Sequence, residues 1–231
     1  PDYLIMEGTR LSRAEAHEKY PTEESVRNAI TDVLRDSHKL AWISLSSQNL
    51  DRLVSVIKAC RATGRTFVID PYTAATLDVF HDSFATVPNA DELSCIRVYY
   101  GTNQAMANKM INNDLFYLHK NKKISKEEIK ANPEKFIIRY NYRLADWLIE
   151  NSVTDYDFVY SMWHGYLTRQ HTWDKHKDHL IEIHTSGHAD ISDLQEFVKR
   201  INPDHTECKN DFEKVFGVST LVLNDNEQKE L

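Results

Sequence analysis

The chain has 231 residues, a formal net charge of −7 and only 6 glycines. Glycine makes up about 7% of an average protein, so this chain is poor in the residue that phosphate-cradling loops need. Its glycines also lie too far apart for a G-x-G-x-x-G or G-x-x-x-x-G-K-[ST] motif, which excludes P-loop ATPases and ordinary Rossmann dinucleotide enzymes. The negative charge argues against nonspecific coating of nucleic acid, but it is compatible with a nuclease that carries metal ions and local basic patches.

The remaining totals describe a globular protein of the cell interior. Hydrophobic content is 41% and charged content is 27%, which are ordinary values for soluble domains. No apolar run approaches the roughly 18 residues of a membrane span. The 3 cysteines fit neither a metal site nor a disulfide framework, so we expect a reducing, cytoplasmic setting and no membrane partner. The chain opens at Pro1 without Met or a signal peptide, and we expect that an N-terminal part precedes it.

Short apolar runs alternate with amphipathic segments along the chain. A first helix is predicted over 22–37, with Thr22 as its N-cap, and a second over 49–63, stopped by Gly64. A further helix is predicted over 190–202, and residues 101–135 are expected to form a polar helical excursion with an exposed turn at 121–123. Strands are predicted at 3–6, 40–44, 66–69, 136–138, 158–160 and 180–183. This β-α-β-α-β order predicts an α/β fold with a parallel sheet flanked by helices.

Histidines are concentrated in the last third of the chain. Of the 11 histidines, three stand among charged neighbours on a polar connector and are expected at the surface: His171, His176 and His179. His164 follows a strand and has no clear role.

The segment His184-Thr185-Ser186-Gly187-His188-Ala189-Asp190 differs from that connector, because it follows an apolar strand directly and precedes a helix. Loops at the carboxyl ends of parallel strands are where α/β proteins bind ligands. Two histidines and two hydroxyl groups there can bind phosphate oxygens and transfer a proton, beside the N–H groups of a helix N-terminus. The alternative is a capping loop in which Asp190 is the N-cap; the two interpretations can hold together.

Glu7 follows the first predicted strand. A carboxylate that emerges from an apolar strand is either a surface group at the strand end or a residue of a site. The local sequence leaves both interpretations open.

These motifs together resemble the β-CASP branch of the metallo-β-lactamase-fold nucleases, the group of RNase J and the pre-mRNA 3′-end endonuclease. Leu4 to Thr9 matches the family's acidic motif, His184 to Ala189 matches its His-x-Ser-Gly-His-Ala motif, and His205-Thr206-Glu207 is the candidate for its third motif. Ser46 to Arg52 resembles the helix start that opens the inserted β-CASP domain. The resemblance implies parts of a metallo-β-lactamase αββα domain at 1–38 and 165–231, with the β-CASP domain at 39–164.

The resemblance also implies a function and its residues. A zinc-dependent phosphodiester hydrolase would use two zinc ions to activate a water. Glu7 and His188 would form a catalytic carboxylate–histidine pair, and His205 would be a zinc ligand. The substrate phosphates would contact His184 and Ser186 on one side, and Ser47 and Asn49 on the β-CASP side. The implied partner is single-stranded RNA, and a homodimer is compatible with the family.

Three departures from the family pattern accompany these expectations. The His-x-His-x-Asp-His zinc motif precedes the acidic motif in the family, so it would lie upstream of Pro1. The segment before His205 is too short for the strand that precedes the third motif, and His205 is alternatively part of a turn. Residues 161–166 replace the Gly-Ser-x-Gly-Glu loop with which RNase J holds a 5′ phosphate, so 5′-end-dependent exonuclease action does not follow.

Two other functions remain open from the sequence. One is a related metallo-hydrolase that acts on a small phosphoester or another ester. The other is a catalytically inactive nucleic-acid-binding homologue. Aromatic residues that could stack on bases are Tyr99, Tyr100, Tyr140, Tyr142 and Trp163, although packing in the core or between domains is the simpler expectation for most of them.

Overall fold

The structure is a computed structural model. It describes residues 3–6, 22–84, 87–101, 108, 115–169, 171–189, 191–202, 205–207 and 220–221. The chain divides into two compact units, of which the larger spans 20–185 and the smaller combines 1–19 with 186–231. The domain boundaries implied by the family resemblance, at 38/39 and 164/165, stay predictions.

The described residues form nine strands and seven α-helices. The strands are β1 (Tyr3–Ile5), β2 (Leu40–Ser44), β3 (Thr66–Ile69), β4 (Ile96–Val98), β5 (Phe136–Arg139), β6 (Tyr156–Tyr160), β7 (Leu180–Glu182), β8 (His205–Glu207) and β9 (Thr220–Leu221). The helices are α1 (Glu23–Asp36), α2 (Leu50–Thr63), α3 (Pro71–Ser83), α4 (Lys126–Ala131), α5 (Tyr142–Glu150), α6 (Gly165–Arg169) and α7 (Ile191–Ile201). Short 3₁₀ segments cover Lys120–Lys122, Pro133–Lys135 and His171–His179.

The larger unit is built on a six-stranded sheet with the order β4-β3-β5-β2-β6-β7. Every pairing in it is parallel. Helices cover both faces, so the predicted α/β fold with a helix-flanked parallel sheet is confirmed. Among the described helices, none combines the length and the hydropathy of a bilayer span.

Two predicted helix ends are confirmed by their local hydrogen bonds. Thr22 caps α1, because its hydroxyl accepts a hydrogen bond from the backbone N–H of Ser25. Gly64 ends α2 with φ +72°, a left-handed conformation that costs glycine little and other residues more. Helix α3 goes beyond the sequence prediction: Asp70 caps it and Pro71 occupies its first turn.

The sheet separates two hydrophobic layers. Helices α1, α2 and α3 pack on one face, where the buried strand residues are Ala41, Ile43, Phe67, Ile69, Ile96, Val98, Ile137 and Val159. Helices α4 and α5 pack on the opposite face, over Leu40, Trp42, Val68, Ile138, Phe158 and Tyr160. All five residues of β2 are buried, as expected for a central strand covered on both faces.

The smaller unit contains a second sheet with the order β1-β8-β9. Strand β1 pairs in parallel with β8, so that Tyr3 lies opposite His205 and Ile5 lies opposite Glu207. His205 therefore lies within a strand, not in a turn. The predicted helix over 190–202 is confirmed as α7.

Candidate functional site at the carboxyl edge of the sheet

The site candidates of the larger unit lie on the loops that follow its central strands. In a parallel sheet the carboxyl ends of all strands meet at one edge, so residues distant in sequence come together there. Each of the loops after β2, β6 and β7 holds either a residue of the predicted motifs or a residue that contacts one of them. The connection between them is a single buried side chain, Arg52.

Arg52 lies in the first turn of α2 and its side chain is fully buried. Its Nε and Nη2 donate to the two carboxylate oxygens of Glu23, at 2.8 and 3.1 Å. A buried guanidinium requires such a partner, because an unpaired charge in the interior is strongly unfavourable. The fork of two parallel hydrogen bonds fixes the plane of the guanidinium as well as its position.

The remaining donors of Arg52 reach the loops after β6 and β7. Nη1 donates to the carbonyl oxygen of Ser161 at 3.1 Å and also to its hydroxyl. Nη2 lies 3.4 Å from the carbonyl oxygen of Thr185. The Ser161 hydroxyl in turn donates to the carbonyl oxygen of Ile183 at 2.6 Å. These bonds hold the two loops against the start of α2.

His184, the first histidine of the predicted motif, is part of this network. Its Nδ1 lies 3.5 Å from Nη1 of Arg52. Nη1 carries two hydrogens and donates to the carbonyl and the hydroxyl of Ser161, so this longer contact places the imidazole beside the guanidinium without fixing its tautomer.

Ser47 and Asn49 both have structural partners at the opening of α2. Ser47 is buried, and its hydroxyl lies 2.8 Å from the hydroxyl of Thr73. Asn49 is the N-cap of α2, because its side-chain oxygen accepts from the backbone N–H of Arg52 at 3.1 Å. The predicted backbone contacts of these two residues stay predictions, and a ligand would have to share groups that are already engaged.

The other predicted site residues belong to the smaller unit. Ser186 is half-buried and His188 is exposed, and the His188 backbone N–H lies 3.3 Å from the Ser186 hydroxyl. Glu7 lies outside the described residues, and His205 is described only by its backbone in β8. The pairing predicted for Glu7 and His188 and the metal role of His205 therefore stay predictions.

A zinc ion needs a cluster of ligating side chains. Over the part of the chain that the structure describes, no group of three or more His, Cys, Asp or Glu side chains could hold a metal ion. The described residues alone do not fit a zinc site, which needs three or four such ligands. Cys60 and Cys95 are free thiols, and burial raises the pKa of the Cys60 thiol well above its usual value.

The expectation that His176 lies at the surface is wrong. His176 is fully buried and lies between two tyrosine hydroxyls, with Tyr140 2.8 Å from Nε2 and Tyr156 2.9 Å from Nδ1. One hydroxyl donates to the bare ring nitrogen and the other accepts from the N–H. Burial, followed by the nearby Lys175 charge, lowers the pKa of His176 to about 4, so the ring is neutral near pH 7. His179, also expected at the surface, is half-buried and stacks on Tyr156.

The fold and the loop network define an α/β protein with its candidate site at the carboxyl edge of a parallel sheet. Comparison with known proteins narrows this class. A family model described as the RNA specificity domain of Zn-dependent metallo-hydrolases matches residues 177–207. That stretch contains the His184–Ala189 motif and His205, and it supports the metallo-β-lactamase/β-CASP superfamily without separating its branches.

The fold itself has a counterpart among solved structures. The crystal structure of a protein of unknown function from Enterococcus faecalis V583 matches with a TM-score of 0.59 and 14% sequence identity. The match covers 98% of this chain and 51% of that one, so this chain spans about half the length of its structural counterpart. At this identity the likeness concerns the fold alone. No curated protein sequence matches the chain.

Proposed function

We propose that this chain forms part of a cytoplasmic, zinc-dependent ribonuclease of the β-CASP branch, with single-stranded RNA as its substrate. The observation that carries the proposal is the RNA-specificity match over 177–207, because it covers the loop whose first histidine lies beside Arg52. In this proposal the domain boundaries are those of the family, with the β-CASP insertion at 39–164.

The residues of the chain would act on the RNA phosphate and on the departing oxygen. His184 and Ser186 would donate to phosphate oxygens. His188, oriented by Glu7, would transfer a proton to the leaving oxygen. Zinc would supply an activated water, and His205 would be one of the ligands that hold it.

The direct test is cleavage of a labelled single-stranded RNA by the complete natural protein, with added zinc or with a chelator. We expect zinc-dependent cleavage that is lost in His188→Ala, while the melting temperature changes little because His188 is exposed. The matched control is His38→Ala, which removes another exposed histidine and should leave cleavage unchanged.

The outcomes separate the alternatives. Full activity of His188→Ala would remove the role assigned to that residue. Hydrolysis of small phosphoesters without RNA cleavage would favour the small-substrate metallo-hydrolase. RNA binding without bound zinc or cleavage would favour the inactive nucleic-acid-binding homologue.

A further inference from the structure

A cavity of about 400 Å³ lies at the carboxyl ends of β2 and β5. Its volume is within the range of sites that enclose small ligands, about 300–1,000 Å³. The walls come from the end of β2 and the loop after it, the end of β5, the loop after β6, the start of α3 and the 3₁₀ segment His171–His179. All of these belong to the larger unit.

The cavity coincides with a change in the direction of the chain connections. Strands β2 and β5 are neighbours. Strand β2 continues into α2, which packs on one face of the sheet. Strand β5 continues into α5, which packs on the opposite face. Two connections that leave neighbouring strands toward opposite faces open a crevice, and open parallel sheets bind their ligands in such crevices.

Flat aromatic side chains form much of the wall. Tyr72, Tyr140 and Trp173 line the cavity together with Met162. Tyr140 and Trp173 are in ring contact, with centroids 5.5 Å apart. Tyr140 is also fixed from behind by the hydrogen bond between its hydroxyl and His176. Rigid rings of this kind suit a flat ligand that stacks on them.

Two buried N–H groups belong to lining residues and have no acceptor. They are Nε of Arg139 and Nε1 of Trp173, neither of which has a hydrogen-bond partner among the described residues. Buried donors in folded proteins are nearly always paired, so an unpaired one calls for an explanation such as a bound ligand or water. Carbonyl oxygens and ring nitrogens on the edges of nucleobases are acceptors that could pair with them.

The charge of the cavity favours a base over a phosphate group. Arg139 is the one charged side chain in the described lining. Its Nη1 already donates to Asp70, at 2.5 Å from Oδ2, so a carboxylate offsets its charge. A phosphate group bound there would compete with Asp70, whereas a neutral base would need only the unpaired donors and the aromatic walls.

We propose that this cavity binds one nucleobase, either of an RNA strand or of a free nucleotide. The RNA as its source rests on the function proposed above. The base stacks on the aromatic wall, and pairing with the N–H groups of Trp173 and Arg139 requires these buried atoms to turn toward the cavity. Its place next to the loop of Ser46 to Asn49 would let the cavity hold one nucleotide of a strand that runs along the carboxyl edge.

Calorimetric titration of the complete protein, in the presence of a chelator, tests the pocket without requiring catalysis. The probes are UMP, AMP, ribose 5-phosphate and inorganic phosphate. We expect UMP or AMP to bind with a dissociation constant below about 1 mM, and the two probes without a base to bind at least tenfold more weakly. Equal binding of inorganic phosphate would overturn the base pocket, as would binding of neither nucleotide.

Variants locate the binding within the molecule. Trp173→Phe keeps an aromatic ring but removes the indole N–H, and we expect affinity to fall about threefold to tenfold. Tyr72→Ala removes a stacking surface and should cost about tenfold. The matched control is Trp147→Phe, since Trp147 lies on α5 outside the cavity wall and contacts Lys126. Melting temperatures identify any variant that fails to fold, and Tyr72→Ala then replaces Trp173→Phe as the deciding variant.

Unchanged affinity in both wall variants would contradict the assignment. The indole N–H resonance of Trp173 gives an independent readout: it should shift on addition of UMP while that of Trp147 does not. Nucleotide binding and RNA cleavage can fail separately. Cleavage with no nucleotide binding would remove the pocket alone, and binding with no cleavage would remove only the proposed nuclease activity.

Discussion

Two arginines at the carboxyl edge of the sheet have opposite surroundings. The Arg52 side chain is fully buried and donates to Glu23, to the Ser161 carbonyl and to the loop after β7. Arg139 is about a quarter exposed and donates to Asp70, and its Nε group has no acceptor among the residues that the structure describes. When all the N–H groups of a guanidinium are bonded within the protein, its role is to hold other residues in place. A guanidinium that has an unpaired N–H group in a cavity wall can still donate to a ligand.

The largest expected effect is the loss of stability in Arg52→Ala. The substitution leaves the Glu23 carboxylate and two loop carbonyl groups without their donor, so we expect the larger unit to lose about 3–5 kcal/mol of unfolding free energy. Denaturant unfolding measures it. Arg35→Ala is the control, because Arg35 is exposed and its ion pair with Asp32 lies at the surface; it should cost under about 1 kcal/mol. Equal losses of unfolding free energy in the two variants would show that Arg52 does not hold the loops together.

On the aromatic side of the cavity, His176 holds the hydroxyl of Tyr140 in place. The contribution of His176 to stability depends on pH. The pKa of His176 is near 4 in the folded protein and near 6.5 in an unfolded chain. Between about pH 4 and pH 6.5 the unfolded chain binds a proton at His176 that the folded protein does not. The contribution of His176 to the free energy of unfolding is therefore fully present above about pH 6.5, and it falls by up to about 3 kcal/mol as the pH drops toward 4.

His176→Phe should remove this part of the acid sensitivity. Because it also removes the partner of the Tyr156 hydroxyl and one partner of the Tyr140 hydroxyl, which is also bonded to Lys175, stability at pH 7 falls as well, by about 1–3 kcal/mol. Urea unfolding from pH 7 to pH 4 measures both effects. The control His38→Phe changes an exposed histidine and should keep the pH dependence of the wild type. An unchanged slope in His176→Phe would contradict a neutral, buried imidazole.

Glu23→Gln measures how much of the stability provided by the Arg52 network depends on the charge of Glu23. Glutamine can still accept one hydrogen bond from the guanidinium but does not offset its charge, and we expect a loss of about 1–2 kcal/mol. Glu24→Gln is a matched neighbour, because Glu24 is exposed and pairs with Arg27. Denaturant unfolding of both variants gives the difference, and a Glu23→Gln loss no larger than the control would contradict a charge-dependent network.

The smallest effect on stability is expected for Arg139→Gln, which completes the comparison. Its partly exposed ion pair with Asp70 should contribute under about 1 kcal/mol, whereas UMP affinity should fall severalfold. The expected pattern is therefore the reverse of that for Arg52. A large loss of stability with unchanged nucleotide affinity would mean that Arg139 has the same structural role as Arg52.

Local signals predicted much of the fold. Thr22 and Gly64 mark the two helix ends because capping depends on residues next to each other in sequence. The parallel sheet followed from apolar strands alternating with helices. Helix α3 was open to the same reasoning, since Asp70 followed by Pro71 is a favourable helix start.

Burial of single polar residues was not predictable in this way. The charged neighbours of His176 suggest a surface position, but its two tyrosine partners lie on β6 and just after β5, and only the sheet brings them together. Arg52 was part of a recognised motif, yet its contacts to Ser161 and Thr185 lie 109 and 133 residues away. His119 is similar, since its carboxylate partners Asp78 and Asp91 lie on other segments.

The central claim is that RNA lies along the carboxyl edge of the sheet. Photocrosslinking of the complete protein to single-stranded RNA with 4-thiouridine at each position in turn, followed by mass spectrometry, tests it most directly. We expect crosslinks to the cavity wall, at Tyr72, Tyr140 or Trp173, and to the loop 184–188. Crosslinks confined to other surfaces, or none above those of a protein without RNA-binding activity, would contradict it.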